Sequence, residues 1–217
     1  MALTLHSMWR ATAPYRVRIG LNLKGLAYDY VGHDLVGGEA RLPPYIGLNR
    51  QGLVPALETG EAVLTQSLAI LEWLEETRPE PPLLPKTPAD RATVRAMAEI
   101  VACDIHPLNN LRVLQALNRL GHGFGSQEQT AWIHGWIGAG FDALEPMIAR
   151  RGAGFAFGNA PGLADCCLIP QIYSAERYGL DLAPYPAIRA VAARAADHPA
   201  FAAAHPDRQP DAPVQPR

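Results

Sequence analysis

Two short segments in the first part of the chain combine residue types that could bind a peptide-like ligand. Pro55 follows Val54 in an apolar run, and a proline entering a strand removes one hydrogen bond of the sheet. If the peptide between them is cis, the N–H and the carbonyl of Val54 point outward together and could pair with a ligand by strand addition. Gln66 and Ser67 precede a predicted helix, where backbone N–H groups and a hydroxyl suit a carboxylate. Taken alone, each feature also fits a turn proline or an ordinary serine cap.

Further along the chain, a second group of residues could hold negative charge. His106, Asn110 and Arg112 fall within one long predicted helix. We expect His106, Asn110 and Val113 to share one face of it. Pro107 lacks an N–H and should kink the helix, which can open a cleft. A lone helical histidine is more often structural, so this pattern by itself does not decide between structure and chemistry.

The composition excludes several classes of protein. The 217 residues correspond to one large or two small domains, and 48% apolar with 18% charged residues are typical of a globular chain. The 19 basic and 21 acidic residues give a net charge of −2, so the basic surplus typical of nucleic-acid binders is absent. The three cysteines predict neither a disulfide framework nor a metal site. No signal peptide and no apolar run of about 18 residues is visible, which predicts a cytoplasmic chain without membrane association.

The first eighty residues alternate short apolar runs with helical patterns. We predict strands at 3–6, 27–33, 53–57 and 62–64, and helices at 16–24 and 67–76. The turn around Gly60 joins the last two strands as a hairpin. This order, β-α-β followed by β-β-α, is the thioredoxin-like order of a small mixed sheet.

Residues 78–88 contain five of the 20 prolines and predict a linker, because proline disrupts both helices and central strands. Thr87, Pro88 and Asp90 then mark a helix start. Beyond them we predict helices at 89–118, 127–150, 163–178 and 186–196, a capping box at Ser126 and a glycine-rich break at 121–125. The fold class is therefore α/β plus all-α: a thioredoxin-like domain at 1–80, a helical bundle at 88–204 and a flexible tail at 205–217.

Several blocks, in a fixed order along the chain, match the pattern of one protein family. The segment from Arg10 to Ile19 reads Arg-Ala-Thr-Ala-Pro-Tyr-Arg-Val-Arg-Ile, and further blocks run from Asn49 to Pro55 and from Gln66 to Ile70. These blocks resemble the zeta class of the glutathione transferases. The block from Cys103 to Asn110 resembles its bacterial branch, which includes maleylpyruvate isomerases. The resemblance covers essentially the whole chain.

The resemblance implies the glutathione transferase fold, glutathione as cofactor and a homodimer. It also implies cis–trans isomerisation of maleylpyruvate or maleylacetoacetate to the fumaryl isomer, in the degradation of gentisate or of tyrosine through homogentisate. The glutathione thiolate adds to a double bond conjugated with a ketone, the resulting single bond rotates, and the thiolate leaves. This chemistry needs a thiol of lowered pKa and cationic donors for the enolate and the carboxylates. Nothing in the sequence chooses between the two substrates.

Carried over residue by residue, the resemblance implies three sets of site residues. The catalytic residues are Thr12, Arg10 and His106. The residues that bind the small dicarboxylate substrate are Arg10, His106, Asn110, Arg112 and Arg177. The residues that bind glutathione are Thr12, Gln51, Val54, Pro55, Gln66, Ser67 and Asn110, and no metal is implied.

The chain departs from the family pattern in the loop before the first helix. Ala11 stands at the first active-site serine and Ala13 at the cysteine, which leaves Thr12 as the hydroxyl of this loop. Either Thr12 and the backbone N–H groups of the helix start stabilise the thiolate, or strong thiol activation has been lost. We favour the first and keep two alternative functions open: a transferase or dehalogenase of small α-halo acids, and a glutathione-binding protein without catalysis.

Other residues with reactive or polar side chains are expected to be structural. We expect Asp165 to support a helix start that Gly162 caps weakly. Cys166 and Cys167 should be buried and inert, and Trp132 and Trp136 should belong to the core. We expect Arg16 and Arg18 to form salt bridges, with Arg16 the more important of the two for the site.

Overall fold

The computed structural model describes residues 2–121 and 125–213, and the chain falls into two compact units. The first comprises Met1–Leu83 with Ala196–Arg217, and the second comprises Leu84–Ala195. Among the described residues, no helix combines the length and the apolar character that a membrane crossing requires.

A four-stranded mixed sheet organises the first unit. Its strands are β1 (Thr4–Ser7), β2 (Asp29–Gly32), β3 (Ala56–Glu58) and β4 (Val63–Thr65), in the order β2-β1-β3-β4. β1 runs parallel to β2 and antiparallel to β3, and β3 pairs antiparallel with β4. Leu5 and Leu57 lie opposite each other in β1 and β3, and both are fully buried. The predicted mixed sheet is confirmed: β2 and β3 are shorter than the apolar runs suggest, and β1 and β4 have the predicted lengths but begin one residue later.

Three helices of the first unit follow in chain order: α1 (Thr12–Leu23), α2 (Tyr45–Leu48) and α3 (Ser67–Thr77). α1 begins at Thr12 and not at the predicted Arg16. Its first turn contains Pro14, whose fixed φ suits a helix start, but lacks the apolar spacing that marks a helix in sequence. At Gly20 a Cβ would overlap the side chain of Leu71, so glycine allows α1 to pack closely on α3.

The second unit is built from helices. They are α4 (Pro88–Glu99), α5 (Leu111–Leu120), α6 (Ser126–Arg151), α7 (Leu163–Arg177) and α8 (Pro186–Ala196). Thr87 caps α4 as predicted, because its Oγ1 accepts the N–H of Asp90 at 3.2 Å. The capping box predicted at Ser126 starts one residue earlier: Gly125 is the cap, and its N–H donates to Glu128 at 2.9 Å. Of the predicted break at 121–125, residues 122–124 lie outside the described residues.

The single helix predicted at 89–118 is interrupted. α4 passes into a π-helical segment, Ile100–Ile105, and the N–H of His106 donates to the carbonyl of Val101 at 2.9 Å. The chain then turns through residues 106–110 before α5 begins, because Pro107 supplies no N–H and Asn110 caps the new helix. The prediction that His106, Asn110 and Val113 share one helical face is therefore wrong.

The C-terminal segment belongs to the first unit, whereas the sequence predicts a boundary at 204 and a flexible tail from 205. It forms α9 (Pro199–Ala204) and a 3₁₀ turn at Pro206–Arg208. Arg18 of α1 donates from Nε to the carbonyl of Ala204 at 3.0 Å. Gln209 is buried, and its Nε2 donates at 3.0 and 2.8 Å to the carbonyls six and four residues earlier. The polar side chains that suggested disorder are thus used in hydrogen bonds to the backbone.

Candidate active site

The loop that leads into β3 leaves the backbone N–H and carbonyl of Val54 open to a ligand. Tyr45 Oη and Asn49 Nδ2 donate to the carbonyl of Leu53 at 2.6 and 2.7 Å, which holds the loop one residue before Val54. Burial raises the pKa of Tyr45 to about 12, so its hydroxyl remains a donor. The Val54–Pro55 peptide is cis. In the described part of the chain the N–H and the carbonyl of Val54 enter no hydrogen bond, and both can serve the backbone of an extended ligand.

The N-terminus of α3 offers donors to an anion. Gln66 has a φ of 68°, a left-handed conformation that a residue with a side chain adopts under constraint. Its Nε2 donates to Gln51 Oε1 at 2.7 Å, so two residues from separate sequence blocks lie together. Ser67 is buried, and its Oγ accepts a hydrogen bond from Arg16 Nη1 at 3.2 Å. The first helical bond at this end runs from the N–H of Ile70 to Gln66, which leaves earlier N–H groups for a ligand.

The N-terminus of α1 contains the hydroxyl that the sequence singles out. Thr12 is the first helical residue and is 9% exposed. Ala11 at the cap position has no polar side chain, and the first turn of α1 contains no acidic residue. The positive end of the helix dipole is therefore not neutralised by the residues of this turn, which favours a thiolate beside it. Arg10 precedes the helix, with its guanidinium carbon 5.4 Å from the ring centre of Trp9.

Arg18 holds this loop from the interior. It is fully buried and donates to the carbonyl of Trp9 at 2.9 Å and to Ser7 Oγ at 3.1 Å. Burial lowers the pKa of its guanidinium. Where the sequence predicts a salt bridge, Arg18 instead forms hydrogen bonds to carbonyls and a hydroxyl among the described residues. These bonds fix the segment between β1 and α1.

In the second unit, three predicted substrate residues lie in or beside the turn that precedes α5. Asn110 Oδ1 accepts the N–H of Arg112 at 3.1 Å, so its Nδ2 group is the part left for a ligand. Trp132 of α6 donates from Nε1 to the carbonyl of Leu108 at 3.0 Å, which anchors the turn. His106 is half-buried and Arg112 is exposed.

Asn109, in the same turn, carries a signal that is not visible in the sequence. Both polar atoms of its side chain are buried, and neither has a hydrogen-bond partner among the described residues. Such groups are rare, because leaving one unpaired costs about 1–3 kcal/mol. Residue type alone does not distinguish Asn109 from its neighbour Asn110, so only the structure identifies it as a candidate ligand contact.

Arg177 ends α7, as the sequence predicts for the residue before Tyr178 and Gly179. It is exposed, and its guanidinium carbon lies 4.6 Å from the ring centre of Tyr178. His134 of α6 places Nε2 2.7 Å from the carbonyl of Tyr178 and so anchors the end of the helix. A cation is thereby presented at a fixed helix end.

The predicted site residues are divided between the two units. The first unit contains Arg10, Thr12, Gln51, Val54, Pro55, Gln66 and Ser67, and the second contains His106, Asn110, Arg112 and Arg177. Hydrogen bonds join two pairs of blocks within the first unit, Gln51 to Gln66 and α1 to Ser67. Among the described residues no group of three or more His, Cys, Asp or Glu side chains could hold a metal ion.

Most residues expected to be structural lie where the sequence suggests. Asp165 is buried and accepts the N–H groups of Ala156 and Gly162 at 2.8 and 2.9 Å, and burial raises its pKa to about 6. The cysteines at 166–167 are fully buried. Trp136 is 39% exposed, so its expected place in the core is wrong.

Two family models match the chain. The model of the glutathione S-transferase N-terminal domain matches residues 13–82, and the model of the C-terminal domain matches residues 130–203. The chain belongs to the glutathione S-transferase family. The described elements of this chain agree with both models, since the mixed sheet lies in the first matched region and helices in the second.

Relatives with isomerase names are similar to this chain over nearly its full length. A maleylacetoacetate isomerase from Pseudomonas aeruginosa is 49% identical over 213 residues, which are 97% of this chain and 99% of the relative. A solved maleylpyruvate isomerase, a bacterial zeta-class transferase, shares 47% identity with a TM-score of 0.94 and covers 97% of this chain and 100% of its own. The maleylacetoacetate isomerase from Anaeromyxobacter dehalogenans, solved with glutathione in its active site, shares 46% identity with a TM-score of 0.88 over 98% of each chain. The predicted fold and the predicted zeta-class membership are confirmed.

Proposed function

We propose that this chain is a glutathione-dependent cis–trans isomerase that converts maleylpyruvate or maleylacetoacetate to the fumaryl isomer in the degradation of aromatic compounds. The observation that carries the proposal is its likeness, over nearly the whole chain, to isomerases of both names. The geometry of the first unit agrees with it, because its open backbone and side-chain groups suit a tripeptide with a γ-glutamyl carboxylate.

The first unit fits glutathione group by group. The N–H and carbonyl of Val54, next to Pro55, match those of the central cysteinyl residue. The N–H groups at the start of α3 and the Ser67 hydroxyl suit the γ-glutamyl carboxylate, with a buried guanidinium behind the serine. The amides of Gln51 and Gln66 lie next to each other and provide further polar contacts.

We assign stabilisation of the thiolate to the N-terminus of α1. When bound, glutathione supplies the thiolate that adds to the conjugated double bond and leaves after rotation. The Thr12 hydroxyl and the first N–H groups of the helix are fixed dipoles in a largely buried place, so they act on a nearby charge with less screening than in water. Arg10 adds a positive charge in the same loop, which compensates for the missing serine at Ala11.

We assign recognition of the negative charges of the diacid to the cationic side chains. In the second unit, His106 and Arg112 would stabilise the developing enolate and Arg177 would bind a carboxylate. In the first unit, Arg10 would bind a carboxylate. The Nδ2 group of Asn110 would donate to the substrate or to glutathione. A dicarboxylate accounts for this number of cations better than a monoacid does.

One observation favours a second candidate, a glutathione-binding protein without catalysis. With Ala11 at the cap of α1 and Ala13 after Thr12, the helix start has no side-chain cap, and Thr12 supplies its one aliphatic hydroxyl. A transferase or dehalogenase of small α-halo acids is a third candidate, since it would use the same thiolate and the same cations.

Turnover of maleylpyruvate, maleylacetoacetate and a small α-halo acid, each with glutathione, separates these candidates. We expect kcat/KM for at least one of the two diacids to exceed that for the halo acid. Turnover of the halo acid alone would support the dehalogenase, and glutathione binding without turnover of any of the three would support the binding protein.

The family resemblance also supports a homodimer in the cytoplasm, and we include both in the proposal. Light scattering from the purified chain should then give twice the mass of one chain, and a monomeric mass would contradict the dimer.

A further inference from the structure

The C-terminal segment reaches the loop that carries the candidate thiolate-stabilising residues. Asp211 lies beyond the 3₁₀ turn, in the segment that the sequence predicts to be flexible. Its Oδ2 accepts the backbone N–H of Trp9 at 3.0 Å, and its Oδ1 accepts the hydroxyl of Tyr30 at 2.6 Å. One carboxylate therefore joins the loop between β1 and α1 to strand β2.

The surroundings of Asp211 keep this carboxylate in place. A Cβ at Gly32 would lie 3.0 Å from Asp211 Cβ and Oδ2, so the side chain rests directly on the bare backbone of β2. The N–H of Ala212 donates to the carbonyl of Gln209 at 3.0 Å, and Gln209 is itself buried. Burial and the bond to Asp211 raise the pKa of Tyr30, which keeps its hydroxyl a donor.

Trp9 is held on both sides by this arrangement. Its N–H donates to Asp211, and its carbonyl accepts from Arg18 Nη2 at 2.9 Å. The oppositely charged side chains of Asp211 and Arg18 also attract each other. Since Arg10 and Thr12 follow within three residues, any rotation of the peptides at Trp9 would displace both of them.

We propose that Asp211 is a positioning residue for the thiolate site: through Trp9 it orients Arg10 and Thr12, and it makes the C-terminal segment part of the glutathione-binding half of the molecule. The inference rests on the proposed function, because it requires glutathione to bind beside this loop. A negative charge near a thiolate is unfavourable, so the carboxylate acts by orientation and not by its charge.

The test measures the pKa of the thiol in bound glutathione through the ultraviolet absorbance of the thiolate, which requires no isomerase substrate. Asp211→Ala should raise this pKa towards that of free glutathione and lower kcat/KM for the diacid about tenfold or more, because small displacements of catalytic groups are costly. Asp211→Asn can still accept the N–H of Trp9 and should retain most of the wild-type pKa. Asp207→Ala is the matched control: this carboxylate of the same segment lies 3.7 Å from His205, and its loss should change neither quantity.

A folded Asp211→Ala variant with the wild-type thiol pKa and kcat/KM would overturn the inference. If this variant does not fold, Tyr30→Phe removes the partner of the other carboxylate oxygen and should shift the thiol pKa in the same direction by less. No shift in a folded Tyr30→Phe variant overturns the inference as well. A wild-type chain that lowers the thiol pKa but isomerises neither diacid contradicts the proposed function alone, so the two failures are distinguishable.

Discussion

The two units hold their candidate residues in different ways. In the first unit, Val54, Ser67 and Thr12 are each at most 9% exposed, and the groups offered to a ligand are backbone groups or short hydroxyls. In the second unit, Arg112 and Arg177 are exposed side chains at helix ends. Backbone groups are placed by the fold and suit one constant ligand, whereas long cationic side chains can adapt to different anions. Substitutions in the first unit should thus affect every glutathione-dependent reaction, and those in the second should discriminate between substrates.

The largest expected effect concerns Asp165, a buried residue of the second unit that supports the fold and is not one of the candidate substrate-binding cations. The pKa of Asp165 is raised to about 6 from 3.8 by burial, so the folded chain binds its proton more tightly than the unfolded chain does. The stability from this group is present below about pH 4 and is lost as pH rises to about 6, which lowers the free energy of unfolding by about 3 kcal/mol. Denaturant titrations of the wild type and Asp165→Asn across this range should show that component only in the wild type. Equal pH dependence in both proteins would mean that Asp165 titrates normally in the fold.

The next effect tests whether the first unit serves every reaction. Thr12→Ala should lower kcat by about tenfold or more for the diacid and for chlorodinitrobenzene alike, because it removes the one aliphatic hydroxyl at the start of α1. Thr12→Ser is the matched control and should keep most of the activity. Unchanged turnover in Thr12→Ala would assign thiol activation to the backbone N–H groups alone.

A substitution of Arg177 tests whether the second unit discriminates between substrates. Arg177→Ala should raise KM for the diacid by about tenfold, equivalent to about 1.4 kcal/mol, and leave KM for the uncharged chlorodinitrobenzene nearly unchanged. Arg189→Ala, which removes an exposed arginine of α8, controls for the general loss of charge from the second unit. Equal changes in KM for both substrates would show that Arg177 does not recognise a carboxylate.

The smallest effect concerns the amide that has no described partner. Asn109→Leu should leave the free energy of unfolding within about 1 kcal/mol of the wild type, since it removes no hydrogen bond of the fold and relieves a buried unpaired amide. If that amide binds the diacid, KM should rise a few-fold while the thiol pKa of bound glutathione stays constant. A large loss of stability would mean that the amide serves the fold and not a ligand.

The parts of the site that follow from local chemistry could be predicted from the sequence. Val54 with Pro55 and Gln66 with Ser67 mark a strand entry and a helix start, and both lie where the sequence suggests. The interruption at Pro107 could be predicted, since proline supplies no N–H. The π-helical segment before it could not, because residues 100–105 keep a helical pattern and differ only in hydrogen-bond register. The contacts of the C-terminal segment could not be predicted either. Polar residues such as Asp211 predict solvation, and only the fold brings this carboxylate to a backbone N–H about two hundred positions earlier.

The central claim is that the first unit supplies a glutathione thiolate without which the diacid does not isomerise. The most direct test follows the conversion of maleylpyruvate and maleylacetoacetate to their fumaryl isomers with and without glutathione. We expect rapid conversion of at least one diacid with glutathione and none above background without it, and no net consumption of glutathione. Conversion that does not depend on glutathione, or no conversion of either diacid in its presence, would contradict the account.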